Sequence, residues 1–157
     1  MYQTATHDPI VLFALDEQPC ALPLRVVERV VRAVAITPVP TAPPIVLGVI
    51  NVRGAVLPVV DVRRRFHQPA RELDPSHRFI LARTATRRVV LIVDAVTGVR
   101  VLADHQVTSA DRALPFAPHL RGVARMEDGL ALIYDLDRFL SLDEERALDA
   151  SLAGGAP

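Results

Sequence analysis

LGVINVRGAVLPVVDVRRRF, residues 47–66, decides how this chain is read, because a degenerate copy of it returns later. Setting Gly48 against Gly122 and running both segments forward without a gap leaves Gly48/Gly122, Val49/Val123, Asp61/Asp135 and Arg64/Arg138 identical. Ile50/Ala124, Val52/Met126, Val56/Leu130, Val59/Ile133, Val60/Tyr134, Val62/Leu136 and Phe66/Leu140 stay apolar. Further upstream, Leu22–Val30 aligns in the same way with Leu91–Val99, and most apolar positions coincide. Self-similarity of this kind indicates one structural unit used twice. The alternative is a chance likeness between Val-rich hairpins.

The composition is that of a globular domain. Half of the 157 residues are apolar and 23% are charged, enough to bury a core and too apolar for disorder. The 18 basic residues balance 18 acidic ones, so the basic excess of a general nucleic-acid binder is missing. All of the basic residues are Arg, which reads as a base-composition bias of the genome. Cys20 is the single cysteine, so no intrachain disulfide can form, and its neighbours Pro19, Ala21 and Leu22 suggest a small buried residue. No signal peptide is expected from MYQTATHDPIV, and no apolar run is long enough to span a membrane. A soluble, cytoplasmic protein is expected.

The apolar runs are short, β-branched and closely spaced, the pattern of an all-β barrel or sandwich. Ile10–Leu15, Cys20–Leu24, Val30–Ile36, Ile45–Val52 and Ala55–Val60 read as strands of a first half. Arg78–Arg83, Arg88–Val93, Gly98–Leu102, Arg121–Met126 and Leu130–Tyr134 read as strands of a second. Asp16-Glu17-Gln18, Arg53-Gly54, Ala85-Thr86 and Glu127-Asp128-Gly129 fit hairpin connections, with Gly54 and Gly129 supplying positive φ. Pro38, Pro40, Pro43 and Pro44 make a stiff connection, and Leu114–Pro118 is the comparable break in the second half. His67–His77 reads as the linker between units. Short helix is expected over Leu24–Arg29. A clearer helix follows the capping box Ser141-Leu142-Asp143-Glu144, with Leu148 and Leu152 on one face and Gly154-Gly155 as the stop.

Chemistry is sparse. The glycines form no phosphate-cradling loop, and no Ser sits in a nucleophile elbow. His7, His67, His77, His105 and His119 lie in or beside polar loops without ligand spacing, so surface histidines are expected and no metal site. Asp61 and Asp135 are repeat-related and each precedes a turn of helix, which predicts N-caps rather than a catalytic pair. Arg63-Arg64-Arg65 reads as a solvated face. Arg53 sits between two apolar strands, and Glu28 is the one acid in Leu24–Val31. Either the two pair, because an unpaired charge in apolar surroundings is costly, or they are independent surface charges.

GVINVRGAVLPVVDVRRRF closely resembles the GxxNLRGxxxPVxDLR stretch of CheW-like domains, the chemotaxis coupling proteins. LRVVERV is similar to their V-x-EI element, through Val26, Val27 and Glu28. RRVVLIVDAVTGV is similar to their G-x-x-VDxVxxV strand and turn, through Val93, Asp94, Val96 and Val99, and GLALIYDLDRFL to their closing strand and helix start. Val52 replaces the usual Leu, and Val30 follows Arg29 where the family has Ile directly after Glu.

The resemblance runs in the family's order from about Pro9 to Leu142. It implies one CheW-like domain over residues 9–142, built as two intertwined five-stranded SH3-like barrels. Approximate units are 9–67 and 77–142, with a C-terminal helix and tail over 143–157. It also implies a non-enzymatic adaptor without cofactor. Such an adaptor joins the cytoplasmic tip of a methyl-accepting chemoreceptor to the regulatory domain of a CheA-type histidine kinase, at membrane-associated arrays but with no insertion of its own.

An apolar groove would take the receptor's helical tip. Val27, Val30, Ile50, Val52 and Val56 are its candidate walls, with Glu28 and Arg53 at the rim. Each valine is, alternatively, ordinary core. Kinase-contact residues are not assigned. The alternatives are a scaffold of the same fold in a chemosensory pathway for pili, gliding or second-messenger output, and a small β-barrel nucleic-acid binder. Against the second stand an aromatic content of 4% and the lack of Trp.

Overall fold

The computed structural model describes residues 8–65, 68–69, 72–110, 117, 119–127 and 129–154. Phe66, His7, His67, Asp128, Gly155, most of Leu114–Pro118 and part of the expected linker lie outside the described residues. The strands are β1 (Ile10–Leu15), β2 (Gln18–Pro23), β3 (Val27–Arg32), β4 (Val46–Val52), β5 (Ala55–Asp61), β6 (Arg78–Arg83), β7 (Arg88–Val93), β8 (Ala95–Arg100), β9 (Val107–Ser109), β10 (Leu120–Met126) and β11 (Gly129–Tyr134). Among the described residues the helices with defined bounds are α1 (Val62–Arg65) and α2 (Leu142–Gly154).

Two sheets form, ordered β8-β1-β2-β11-β10-β9 and β3-β6-β7-β5-β4. The second uses one continuous run of chain and is called here the central barrel. The first takes strands from both ends of the chain and is the terminal barrel. The division expected from the repeat, 9–67 and 77–142, therefore does not coincide with the sheets. A boundary at 67–77 cuts through the central barrel, between β5 and β6.

The duplication is nevertheless visible in the register. Each barrel has one parallel pair, β5 with β7 at Val59↔Val90 and β11 with β2 at Ile133↔Ala21, and these four residues are matched by the sequence alignment. Each has a register shift at its aligned glycine, between Val46 and Gly48 and between Leu120 and Gly122. The shift between Val27 and Arg29 on β3 is repeated between Val96 and Gly98 on β8.

The glycines are explained by close approach. A Cβ on Gly48 (φ +155) would lie 2.2 Å from the Thr37 carbonyl oxygen, and one on Gly122 would lie 2.9 Å from that of Thr108. Thr37 continues the β3 run and exchanges hydrogen bonds of 2.9 and 2.8 Å with Val49, which brings the two edges of the central sheet together. β9 does the same on β10 and was not anticipated from the sequence, since Val107-Thr108-Ser109 is too short to show alternation.

Three apolar clusters result. Ile50, Leu57, Val59, Phe79, Leu81, Val90 and Ile92 fill the central barrel. Ile10, Leu12, Ala21, Leu102, Ala124, Ala131 and Ile133 fill the terminal barrel. The largest cluster joins strands of both sheets and includes Phe13, Leu22, Val60, Ile80, Leu91, Tyr134, Phe139 and Leu148. Cys20 is fully buried in it, 3.5 Å from the Tyr134 hydroxyl, and burial pushes its thiol up to about 11 against that hydrogen bond. The helix expected over Leu24–Arg29 shrinks to one 3-10 turn at Leu24–Val26, because Val27 onward pairs with β6. α2 starts at the expected capping box. The Ser141 N–H donates to Glu144 Oε1 at 2.8 Å, and the Glu144 N–H donates to Ser141 Oγ at 3.1 Å.

Candidate functional site

The motif Asn51-Val52-Arg53-Gly54 is the tip of the β4–β5 hairpin. Arg53 and Gly54 both take positive φ, +50° and +87°, the conformation of the tight turns that suit a twisted hairpin. Asn51 Oδ1 accepts the Gly54 N–H at 2.8 Å and fixes the turn. Asn and Gly are thus needed for the backbone, and what they present is Arg53. Its side chain is exposed and makes no ion pair among the described residues.

Glu28 does not pair with Arg53. It sits at the register shift on β3, opposite β6, and takes Arg83 at 3.1 Å and Arg88 at 3.0 Å. Those two arginines face each other across the end of the β6–β7 hairpin, so one carboxylate holds both. Desolvation raises the Glu28 carboxyl, but the hydrogen bonds and charges of Arg88 and Arg83 together outweigh it and hold the group below the usual range. The alignment did not reveal this clamp, because Arg83 and Arg88 are distant in sequence from Glu28.

Ile50 is not a groove residue. It is 5% exposed and packs inside the central barrel, and Val52, one alternation further on, is half-buried against the same cluster. Val27 is half-buried against the cluster between the barrels. Val30 and Val56 are different. Val30 pairs with Ile80, and Val56 lies in alternation with Val60; both Ile80 and Val60 belong to the cluster between the barrels. Val30 and Val56 extend that face beyond its buried part and remain 39% and 55% exposed. The exposed candidates are therefore Val30, Val56 and Arg53; Val27 and Val52 are half-buried, and Glu28 is held at the surface by its two arginines.

The repeat carries a second copy of this pattern. Val99 and Leu130 align with Val30 and Val56, and they are also exposed, at 54% and 55%. Where the central hairpin ends in Arg53, the terminal one carries Glu127, also exposed. Sequence reasoning passed over these positions although the repeat held the signal.

The arginine run after β5 is only partly solvated. Asp61 caps α1 by accepting the Arg63 N–H at 3.0 Å, as Asp135 accepts the Asp137 N–H at 3.2 Å in the other copy. Arg64 and Arg138 turn back onto those caps at 3.6 and 3.5 Å. Arg63, however, is buried. Its guanidinium binds Asp94 and Asp16, the latter at 3.3 Å, and the buried His77 stands 3.6 Å from Asp94. A buried guanidinium needs such partners, and they come from the β1–β2 turn and the residue after β7. His77 departs from the surface position expected of it because its Nδ1 accepts the Asp74 N–H at 3.2 Å within the turn that leads into β6.

Comparison with known proteins follows the same arrangement. The CheW-like domain family model matches residues 9–144. Chemotaxis protein CheW of Rhizobium meliloti is 34% identical over 140 residues, covering 88% of this chain and 90% of that protein. Chemotaxis protein CheW of Thermotoga maritima is 30% identical over 131 residues, covering 83% and 86%. Among solved structures, scaffolding protein TtCheW from Thermoanaerobacter tengcongensis matches with a TM-score of 0.79 at 27% identity, over 90% of this chain and 96% of that one. The likeness thus spans both barrels and the hairpin that presents Arg53, and the chain belongs to the CheW-like domain family.

Proposed function

We propose that this chain is a non-catalytic coupling adaptor of a chemosensory system. It joins the cytoplasmic tip of a methyl-accepting receptor to the regulatory domain of a CheA-type histidine kinase and acts from the cytoplasm at receptor arrays. Membership of a family whose relatives carry the names chemotaxis protein and scaffolding protein supports the coupling role. Among the described residues no helix is long and apolar enough to cross a membrane.

The observations that support the site are that Val30 and Val56 stay exposed and that Arg53, at the tip of the β4–β5 hairpin beside Val56, has no ion-pair partner among the described residues. Apolar positions left open beside a charge suit an amphipathic helix, which gains affinity from its apolar face and orientation from the charge. The receptor's helical tip would lie along this rim, with an acidic or carbonyl group on Arg53. Val27 and Val52 are half-buried, and the Glu28–Arg83–Arg88 clamp fixes the β3 edge.

Co-sedimentation tests this reading with a receptor signalling domain and a kinase from the same genome. Kinase should enter the receptor pellet only when this chain is present. Arg53→Ala should weaken recruitment about tenfold, the effect of losing one central interface Arg. Because Arg53 is exposed, the variant should melt with the parent. Binding to neither partner would overturn the coupling role. Binding that ignores Arg53→Ala and Val56→Asp would move the site elsewhere.

A further inference from the structure

The turn between β6 and β7 collects contacts from three other parts of the chain. It is first closed on itself. The Thr84 N–H donates to the Arg87 carbonyl at 2.8 Å, and Thr84 Oγ1 accepts the Thr86 and Arg87 N–H groups at 3.2 and 3.0 Å. A threonine hydroxyl used in this way holds the backbone of a turn. The turn is also tied from outside, because the Ala85 N–H donates to Asp137 Oδ1 at 2.7 Å.

Two neighbouring arginines then leave it on opposite faces of the sheet, as alternation along β7 requires. Arg88 shares a face with Val90, which lies inside the central barrel, and together with Arg83 it holds Glu28 on β3. Arg87 shares a face with Val89, which belongs to the cluster between the barrels. There it meets α2. Its Nε binds Glu145 at 2.7 Å, and its Nη2 binds Asp149. Glu145 and Asp149 stand one helical turn apart, so both reach one guanidinium. The Arg87 side chain is only 13% exposed, so salt screens these pairs less than it screens pairs in open solvent. Leu148, on the same stretch of helix, is buried in the cluster that holds Val89.

We propose that the β6–β7 turn is the joint through which α2 sets the β3 edge. Arg87 is a positioning residue that acts through Arg88 and Arg83 on Glu28. β3 stands at the end of its sheet's strand order and shifts register at Glu28, so this part of the edge has few backbone partners of its own. The other contacts of α2, Glu144 with Arg65 and Ser151 with Thr41, involve neither the turn nor β3. The consequence for signalling rests on the reading of Val30, Val56 and Arg53 as the receptor surface. Release of α2 from the turn would loosen the edge that carries Val30 without changing any residue that meets the receptor.

NMR of the full chain tests the joint, and affinity for a receptor signalling domain from the same genome tests its consequence. Arg87→Gln should move the Arg83 and Arg88 Nε–H signals and quicken amide exchange at Glu28–Val30 several-fold. It should weaken receptor binding about threefold, the scale of a partly exposed ion pair. Glu145→Gln with Asp149→Asn removes the same pairs from the helix side and replaces it if Arg87→Gln does not fold. In a Glu28→Gln background Arg87→Gln should add no further loss, the non-additivity that marks action through Glu28. Arg65→Gln loosens α2 at its other end and should lower the melting temperature only. Unmoved Nε–H signals and exchange in Arg87→Gln would overturn the joint whatever the receptor does. Additive losses, or an Arg65→Gln that behaves like Arg87→Gln, would reduce Arg87 to a structural role and overturn it too. Signals that move while the parent chain itself binds no receptor would uphold the joint and overturn the coupling role instead.

Discussion

Each barrel reaches across to the other at one point, and the two crossings are built from aligned residues with different chemistry. After β5, Arg63 extends from the central barrel to Asp16 in the β1–β2 turn of the terminal barrel and also binds Asp94, the residue after β7. After β11, Asp137 extends from the terminal barrel to the β6–β7 turn of the central one, where it accepts the Ala85 N–H at 2.7 Å. The alignment sets Arg63 on Asp137 and Asp16 on Ala85. The Asp16 N–H, like that of Ala85, is taken by a carboxylate, here Asp94 Oδ2 at 2.6 Å. One geometry is thus served by a buried charge cluster at one end and by an exposed hydrogen bond at the other. Position in the repeat fixes where a contact is made, and the local surroundings fix what it contributes.

The largest expected effect tests that asymmetry. Arg63→Met removes the buried guanidinium that Asp16 and Asp94 share and should cost about 3 kcal/mol of stability by chemical denaturation. Asp137→Ala removes one exposed hydrogen bond and should cost about 1 kcal/mol. Equal losses would break the comparison.

The aligned glycines come next. Gly48→Ala should cost roughly 2–4 kcal/mol, since its Cβ meets the Thr37 carbonyl oxygen at 2.2 Å and its φ is positive. Gly122→Ala, with 2.9 Å to Thr108, should cost about half as much. A reversed order in thermal melts would show that the terminal barrel is the more rigid of the two. The caps should sharpen the likeness instead. Asp61→Ala and Asp135→Ala each remove one side-chain cap and should each cost about 1 kcal/mol in the same denaturation assay.

The smallest effect concerns α2, which lies against the central barrel's turn through Arg87 and against α1 through Arg65. Desolvation raises the Glu144 carboxyl, but the Ser141 N–H and Arg65 together hold it below the ordinary glutamate range. A depressed value means that the docking contribution is complete above the ordinary range and is lost as pH falls through the depressed one. Amide exchange in α2 should therefore quicken below about pH 4, before exchange in β6 or β7 changes. Fraying that begins near pH 6 would rule out Glu144 as the anchor.

The strands were legible in the sequence because Val-rich runs and turn residues define them locally. β1, β6 and β7 begin and end at the residues expected. The repeat also correctly assigned Asp61 and Asp135 as caps. It could not reveal which copy of a hairpin pairs with which. β5 on β7 and β11 on β2 satisfy the same apolar pattern that sequential pairing would satisfy, and only long-range register separates them.

Ile50 was misplaced for a related reason. Both faces of β4 are apolar, so alternation tells which residues share a face but not which face lies inside. Arg63 and His77 looked solvated because their carboxylate partners lie elsewhere in the chain. The Arg53–Glu28 pairing failed because β3 shifts register at Glu28 and directs it toward β6.

The braiding of the chain also sets an order of assembly. Residues 27–93 supply every strand of the central sheet, so a growing chain can complete it early. The β1–β2 hairpin leaves the ribosome before the central strands, yet its parallel neighbour β11 emerges after all of them. Contacts that distant form slowly. Until β11 arrives, the first hairpin has no partner along β2, and Phe13 and Leu22 lack the Tyr134 side of their cluster. A hairpin made before the central sheet is thus completed after it, and in the interval it is a segment open to a chaperone or a protease.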